Sequence, residues 1–213
     1  MDRLLRLKRN PRLLSLAKVC SELKAINGVA SLFYVHRGLA FDQVFYLSIV
    51  WSITTLLVEV PTGYLADRFG RKRTLLLGAA VTTLSYLLAF FAQGFWMFCL
   101  QFALMSFGFS CFSGTEEALL YDTLKETKEE HRMTAYFAKL NSARQVMKIF
   151  IPSLGAWIAK GLLESQFRIL VIIDIVGSVV AWLILSRLEE PKHVKNVTRQ
   201  EKGIFKESLE TIR

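Results

Sequence analysis

Long apolar segments constrain the fold of this 213-residue chain more than any other feature of its sequence. A helix needs about 20 mainly apolar residues to cross the hydrocarbon layer of a membrane. Segments of that length recur here and are apolar on all faces, as in TLLLGAAVTTLSYLLAFFA, whereas a barrel strand would alternate apolar and polar residues. We therefore predict an all-α membrane protein with a six-transmembrane-helix bundle over residues 13–187. The predicted spans are 13–35, 43–66, 74–93, 95–121, 136–160 and 167–187.

The first segment is the least regular, because Lys18, Glu22 and Lys24 interrupt its apolar residues. An amphipathic helix on the membrane surface is therefore an alternative for this segment. We favour a span, because residues 27–34 continue the apolar run and an even number of crossings fits the distribution of charges. We expect no removable signal peptide, because no short apolar core with a small-residue cleavage site precedes this segment.

Lysine and arginine fall mainly on one side of the predicted bundle. They collect in an amino-terminal arm (1–12), in the connections after the second and fourth spans, and beyond Arg187, whereas the other side carries Arg37, Lys160 and Arg168. Basic residues accumulate in cytoplasmic loops, so we expect an integral membrane protein with both termini in the cytoplasm. A basic surface facing anionic lipid accounts for the net charge of +9, so no nucleic-acid partner is expected.

The segment GYLADRFGRKR, residues 63–73, is predicted to be the short connection between the second and third spans. Its glycines allow a sharp turn, and its cations fix it on the inner side of the membrane. Asp67 is less easily explained, because it lies at the carboxyl end of a helix, where the helix dipole disfavours a negative charge. Asp67 should therefore have a partner, either the neighbouring arginines or the amino-terminal end of another helix.

These residues resemble the G-x-L-A-D-R-x-G-R-K signature of the major facilitator superfamily, at the position where that family has it. The resemblance implies that the chain is the amino-terminal six-helix half of a transporter built from two such halves. It also implies a conformational latch on the cytoplasmic side, with Asp67 as the acceptor and Arg68 and Arg71 as its local partners. VEVPTGYLADRFGRKR followed by SGTEEALLYDTLKE is similar to bacterial members of mostly unassigned substrate, which implies a bacterial cytoplasmic membrane. The residues that match the signature are Gly63, Leu65, Ala66, Asp67, Arg68, Gly70, Arg71 and Lys72.

Charged residues inside the spans are costly in lipid and are therefore candidates for function. Glu22 and most of these candidates are predicted to lie in one layer, roughly 12 to 18 Å from the cytoplasmic ends of their helices at 1.5 Å per residue. A gating or structural network is an equally good explanation for them. Within this layer we predict a salt bridge between Arg144 and either Glu116 or Glu117. The candidates for translocation or proton coupling are Lys24, Asn27, Glu59, Glu116, Glu117, Arg144, Lys148 and Asp174.

Buried acids outnumber buried bases in this set, so one carboxyl is expected to lack a partner. A carboxyl in a low-dielectric environment can take up a proton, which favours a proton-coupled antiporter or symporter of a small solute. IPSLGAWIAKG in the fifth span partly resembles the Gly-Pro motif of drug and proton antiporters, which weakly favours efflux. Ile151 stands where that motif has a glycine, so the resemblance is incomplete.

An intramembrane enzyme is the alternative from another functional class. Ser110 and Ser113 lack a G-x-S-x-G elbow, and the three histidines fall in loops. The sequence also has no His-Glu-x-x-His zinc motif and no phosphate-binding glycine loop. The three cysteines fall within spans without metal-ligand spacing. We therefore expect no enzymatic activity, no metal and no cofactor.

Residues 188–213 are predicted to form a cytoplasmic linker followed by the start of an amphipathic helix in GIFKESLETIR. Two partners are compatible with a single bundle of this kind: a carboxy-terminal six-helix half, or a second copy of the chain that pairs with the first. A self-pairing six-helix protein without transport activity remains the alternative to a transporter.

Overall fold

The computed structural model describes residues 2–192, and the regular structure in this range is helical. The amphipathic helix expected near residues 203–213 lies outside the described residues. Two short 3₁₀ turns, Ala25–Gly28 and Glu130–Arg132, separate α-helices. The α-helices are α1 (Asp2–Leu7), α2 (Asn10–Ser21), α3 (Ala30–His36), α4 (Phe41–Phe69), α5 (Arg71–Phe91), α6 (Phe95–Phe112), α7 (Thr115–Glu126), α8 (Met133–Ile158) and α9 (Glu164–Ser186).

Four of these segments are long and apolar enough to cross a membrane: α4, α5, α6 together with α7, and α9. They confirm an all-helical fold of membrane type. The remaining predicted spans are the first, which the structure divides between α2 and α3, and the fifth, which is α8. Because α8 carries Lys139, Arg144 and Lys148, it is less apolar than the others. The exact number of six crossings therefore stays a prediction.

The connections between helices gather at two ends of the bundle. At one end, which we call the basic face, Arg3 is paired with Glu126, and the backbone N–H of Arg71 donates to the Glu190 carboxylate at 2.8 Å. At the opposite face, Arg37 lies 2.9 Å from Glu164 and donates to the Ala92 carbonyl at 3.2 Å. The α3–α4, α5–α6 and α8–α9 connections therefore meet at one end, and the α1–α2, α4–α5 and α7–α8 connections meet at the basic face.

The predicted first and fourth spans are not continuous helices. In the first, α2 ends at Ser21 and a 3₁₀ turn follows at Ala25. The carboxylate of Asp174 on α9 replaces the missing helical acceptors, because it accepts the backbone N–H groups of Ala25 at 2.7 Å and Ile26 at 3.4 Å. In the fourth, Gly114 separates α6 from α7 with a φ of 71°, a conformation that favours glycine.

The 3₁₀ turn after α2 packs backbone to backbone against α8. A Cβ atom on Gly28 would lie 2.0 Å from the Pro152 carbonyl oxygen, and one on Gly155 would lie 2.0 Å from the Ala25 carbonyl oxygen. Only residues without a side chain permit this approach, which fixes the position of the turn against α8.

Helix α4 is the least covered of the apolar helices. Only 6% of its most apolar 18 residues are buried, compared with 39% for α5 and α9. Large side chains such as Ile53, Leu56 and Val60 are exposed along it. The outer surface of α4 must therefore be covered by lipid or by another helical body.

Candidate functional site

A cavity of about 190 Å³ lies between α2, α4, α5, α6, α7 and α8. Its lining combines two kinds of side chain. The aromatic ones are Trp51, Tyr86, Phe109 and Phe112. The charged ones are Lys18, Glu22, Lys24, Glu116, Glu117 and Arg144. The two kinds adjoin, since Lys18 Nζ lies 5.8 Å from the centroid of the Phe112 ring.

Residues at both helix interruptions line this cavity. Glu22 and Lys24 belong to the irregular segment between α2 and its following turn, while Ser113 and Gly114 form the break between α6 and α7. Glu116 and Glu117 occupy the first turn of α7, where the helix dipole favours negative charge. The two breaks therefore bring charged side chains and irregular backbone to the inside of the bundle.

Two ion-pair groups cross the cavity. The Lys18 Nζ atom donates to Glu116 Oε2 at 2.6 Å, and both side chains are only 12% exposed. Glu22, which is 4% exposed, lies 3.2 Å from Arg144 Nε and 3.6 Å from Lys24 Nζ. These ion pairs therefore join α2 to α7, and the segment after α2 to α8.

The predicted partner of Arg144 was wrong, since the structure pairs it with Glu22 rather than with Glu116 or Glu117. The break after Ser21 brings Glu22 to α8, and Lys18, one helical turn earlier on α2, reaches Glu116 instead. Sequence reasoning treated Lys18 only as an interruption of the first span. Its spacing of four residues from Glu22 places both on one helix face, and that spacing was the available signal.

Two buried polar atoms in this network lack hydrogen-bond partners within residues 2–192. They are Glu22 Oε2 and Arg144 Nε, and the latter lies near Glu22 Oε1 without a hydrogen bond to it. Buried polar atoms in folded proteins nearly always have a partner, so each exception needs an explanation. Here both atoms belong to residues that line the cavity.

The structure brings together four of the predicted translocation residues: Lys24, Glu116, Glu117 and Arg144 all line the cavity. It places the others elsewhere. Asn27, Glu59 and Lys148 are exposed and are not among the lining residues. Asp174 is 1% exposed, and its carboxylate is engaged with the backbone of the 3₁₀ turn. Its observed contacts are thus structural.

The segment GYLADRFGRKR is not a loop, because α4 continues to Phe69 and α5 begins at Arg71, with only Gly70 between them. Its arginines are also placed differently from the expectation. Arg71 lies 2.5 Å from Asp122 on α7 and also donates to the Ala118 carbonyl, while Arg68 donates to the Tyr64 hydroxyl at 2.9 Å. Asp67 is exposed and forms no ion pair with the described residues. The expectation that Arg68 and Arg71 are the local partners of Asp67 was therefore wrong. Arg71 follows the turn at Gly70 and is directed to α7 instead.

Glu190, which sequence reasoning did not single out, closes the start of α5. Its carboxylate accepts the backbone N–H groups of Arg71 at 2.8 Å and Lys72 at 2.9 Å. Burial raises the pKa of Glu190 above its ordinary value, and these two hydrogen bonds only partly oppose the effect. Gly70 has a φ of 105°, and a Cβ there would lie 3.3 Å from this carboxyl group.

Further contacts at the basic face tie the amino-terminal segment to the segment after α9. The Asn10 side chain donates to Thr123 Oγ1 at 3.1 Å and to the Glu189 carbonyl at 2.8 Å, and it accepts the Glu189 N–H at 3.0 Å. Arg3, paired with Glu126, also donates to the Glu190 carbonyl at 3.0 Å. The basic face thus holds α1, α2, α5, α7 and the segment after α9 as one unit.

A helical bundle with several apolar, membrane-length helices around a charged internal cavity defines an integral membrane protein with a polar interior. The family model of the Major Facilitator Superfamily matches residues 19–212. The chain belongs to this superfamily, whose members are transporters. No curated protein matches the chain.

Proposed function

We propose that this chain is the six-span bundle of a secondary active transporter that moves a small solute by alternating access. The observation that carries this proposal is the cavity between two interrupted helices. Irregular backbone at membrane depth is tolerated where it lines a cavity, and discontinuous helices form the solute sites of many transporters. Here the breaks after Ser21 and at Gly114 flank one charged cavity.

Alternating access requires a bundle that moves as a rigid body against another. The ties at the basic face support such rigidity, because Arg71–Asp122 joins α5 to α7 and Asn10–Glu189 joins α2 to the segment after α9. Asp67 lies at the same face but is exposed. We propose that Asp67 is the latch acceptor and that its partner belongs to the second bundle.

The second bundle is a carboxy-terminal six-helix half or a second copy of this chain. The exposed apolar surface of α4 supports the presence of such a neighbour, although lipid would also cover it. We place the protein in the cytoplasmic membrane of a bacterium, with both termini in the cytoplasm. The concentration of arginine and lysine at the basic face supports this orientation.

We also propose that protons drive the movement of solute, in an antiport cycle directed outward. The support comes from Glu117, an exposed carboxylate in the cavity that has no ion pair among the described residues. A carboxylate that binds a proton in one state and the solute in the other would couple the two fluxes. The other carboxylates in the cavity, Glu22 and Glu116, are already paired.

Accessibility of the cavity from both sides of the membrane tests alternating access without a known solute. Cys20, Cys99 and Cys111 are first replaced by serine in the full-length protein, and Ser113→Cys then provides a single thiol in the cavity. A membrane-impermeant maleimide is added to intact cells or to inside-out vesicles. We expect labelling of Ser113→Cys from both sides, and labelling of the exposed Glu130→Cys from the cytoplasmic side only. Labelling of Ser113→Cys from one side alone would overturn the proposal.

A further inference from the structure

The charges in the cavity balance as a whole but are unevenly distributed. Lys18 and Glu116 neutralise each other in a close pair. Glu22 is shared by Lys24 and Arg144, so this group retains one positive charge. Glu117 has no ion pair among residues 2–192 and supplies one negative charge at the start of α7. The cavity is thus neutral overall, with a positive and a negative pole.

The donors at the positive pole are the place for an anionic ligand group. Lys24 and Arg144 share the carboxylate of Glu22, which is more than nine-tenths buried. Arg144 Nε is buried and donates no hydrogen bond to the described residues. An ammonium and a guanidinium that share one carboxylate can each hold a second acceptor, and charge-assisted hydrogen bonds of this kind are the strong ones.

The volume of the cavity and its aromatic lining constrain the uncharged part of the solute. A cavity of roughly 150 Å³ is sufficient for benzene, so a cavity of about 190 Å³ admits a ring with a short polar group. Trp51 and Phe109 pack with their ring centroids 5.5 Å apart, and both line the cavity. Aromatic rings attract one another in tilted or offset arrangements, so these two rings favour an aromatic group.

A solute with a net charge would disturb this balance. It would leave one pole of the cavity without a counter-charge, whereas a zwitterion places an opposite charge at each pole and can form charge-assisted hydrogen bonds at both. The geometry points to a small aromatic zwitterion as the ligand of this cavity. Its anionic group lies at Lys24 and Arg144, its cationic group at Glu117, and its ring against Trp51 and Phe109. As the transported solute, this ligand rests on the proposed function, but its binding does not.

Three probes that share a benzyl group test the charge requirement: phenylalanine, the cation phenethylamine and the anion phenylacetate. Equilibrium binding of each is measured by calorimetry on the full-length protein in detergent. We expect phenylalanine to bind at least about tenfold more tightly than either singly charged probe, since a hydrogen bond to a charged group contributes this much or more. Equal or tighter binding of a singly charged probe would overturn the inference, as would absence of saturable phenylalanine binding below about 10 mM.

Single substitutions, each with a matched control, test whether Glu117 forms the negative pole and Lys24 the positive pole. Glu117→Gln should weaken phenylalanine binding about tenfold and leave phenylacetate binding unchanged. Lys24→Gln should weaken phenylalanine binding similarly and leave phenethylamine binding unchanged. Glu130→Gln and Lys139→Gln remove the same charges from exposed positions outside the cavity and should change nothing. Thermal unfolding of each variant shows whether it is folded.

An equal loss for all three probes in a folded Glu117→Gln variant would contradict the assignment of the negative pole. Failure of the binding tests is separate from failure of alternating access. If Ser113→Cys is labelled from both sides but phenethylamine or phenylacetate binds more tightly than phenylalanine, the proposal of a transporter stands and the proposal of a zwitterionic ligand is wrong.

Discussion

Asp174 on α9 accepts the backbone N–H of Ala25 at 2.7 Å, and this contact stabilises the interruption between α2 and α3. Asp174→Leu should destabilise the protein, because the N–H groups of Ala25 and Ile26 would be buried without an acceptor. Each unsatisfied donor costs about 1–3 kcal/mol. Asp174→Asn retains one acceptor oxygen and should lose less. Chemical unfolding in detergent measures both, and Glu130→Leu is the exposed control. Equal stability of the leucine variant and the parent would show that the contact is unimportant.

The pair formed by Arg71 and Asp122 should contribute to the stability of the basic face. Asp122 is 6% exposed, so Arg71→Met leaves a buried carboxylate without its partner, at a cost of about 3–5 kcal/mol. The double variant Arg71→Met and Asp122→Leu should regain most of this loss, because neither charge is then left alone. Arg68→Met removes an exposed arginine from the nearby end of α4 and should cost much less. A double variant no more stable than Arg71→Met would contradict this account.

Replacement of Asp67 should affect alternation between states and leave folding intact. Asp67 is exposed, and surface substitutions usually change stability by no more than about 0.5 kcal/mol. If Asp67 closes the cytoplasmic side against a second bundle, Asp67→Asn should shift the labelling of Ser113→Cys toward the cytoplasmic side. Unchanged ratios of labelling from the two sides would remove Asp67 from the latch.

Glu190 should make stability depend on pH in a definite direction. Because its pKa is raised in the folded protein, the folded state holds the proton more tightly than the unfolded state does. The favourable contribution is therefore greatest below the ordinary pKa of 4.5 and is lost as the pH rises through the raised value. The difference in unfolding free energy between the parent and Glu190→Gln should fall with rising pH above about 4. A difference that rises with pH would contradict the sign.

Gly155 should tolerate no side chain. A Cβ atom there would lie 2.0 Å from the Ala25 carbonyl oxygen, so Gly155→Ala must displace the backbone of the 3₁₀ turn. Overpacking of this kind costs about 1–3 kcal/mol. Gly63 has no neighbouring atom within 4 Å of its Cβ position, and Gly63→Ala on α4 should be neutral or stabilising by about 0.5–1 kcal/mol. Equal melting temperatures for the two alanine variants would contradict the close contact.

The sequence predicts much of the helical framework but little of its internal detail. The runs that became α4, α5 and α9 are apolar, and hydropathy alone identifies them. The charges of Lys18, Glu22 and Lys24 mark the first segment as irregular, but the acceptor that stabilises the break after Ser21 is Asp174, which is distant in sequence, so no local pattern predicts its role. The ion pair between Arg144 and Glu22 follows from that break, because Glu22 lies just beyond the end of α2 and is thereby brought to α8. Glu190 was missed for the same reason, since its partners are backbone N–H groups.

The ties described at the two faces determine where the bundle can deform. Arg37 joins the connections at the opposite face, and Arg71, Asn10 and Arg3 join those at the basic face. Stiffness is therefore concentrated at both ends, while the middle contains two interruptions, where the helical ladders of hydrogen bonds are incomplete. The first interruption is braced by Asp174 and by the close packing of Gly155, whereas the Cβ position of Gly114 has no neighbouring atom within 4 Å. Bending strain applied to the bundle should therefore collect at Gly114. Because Gly114 lines the cavity, a bound solute and the angle between α6 and α7 must influence each other.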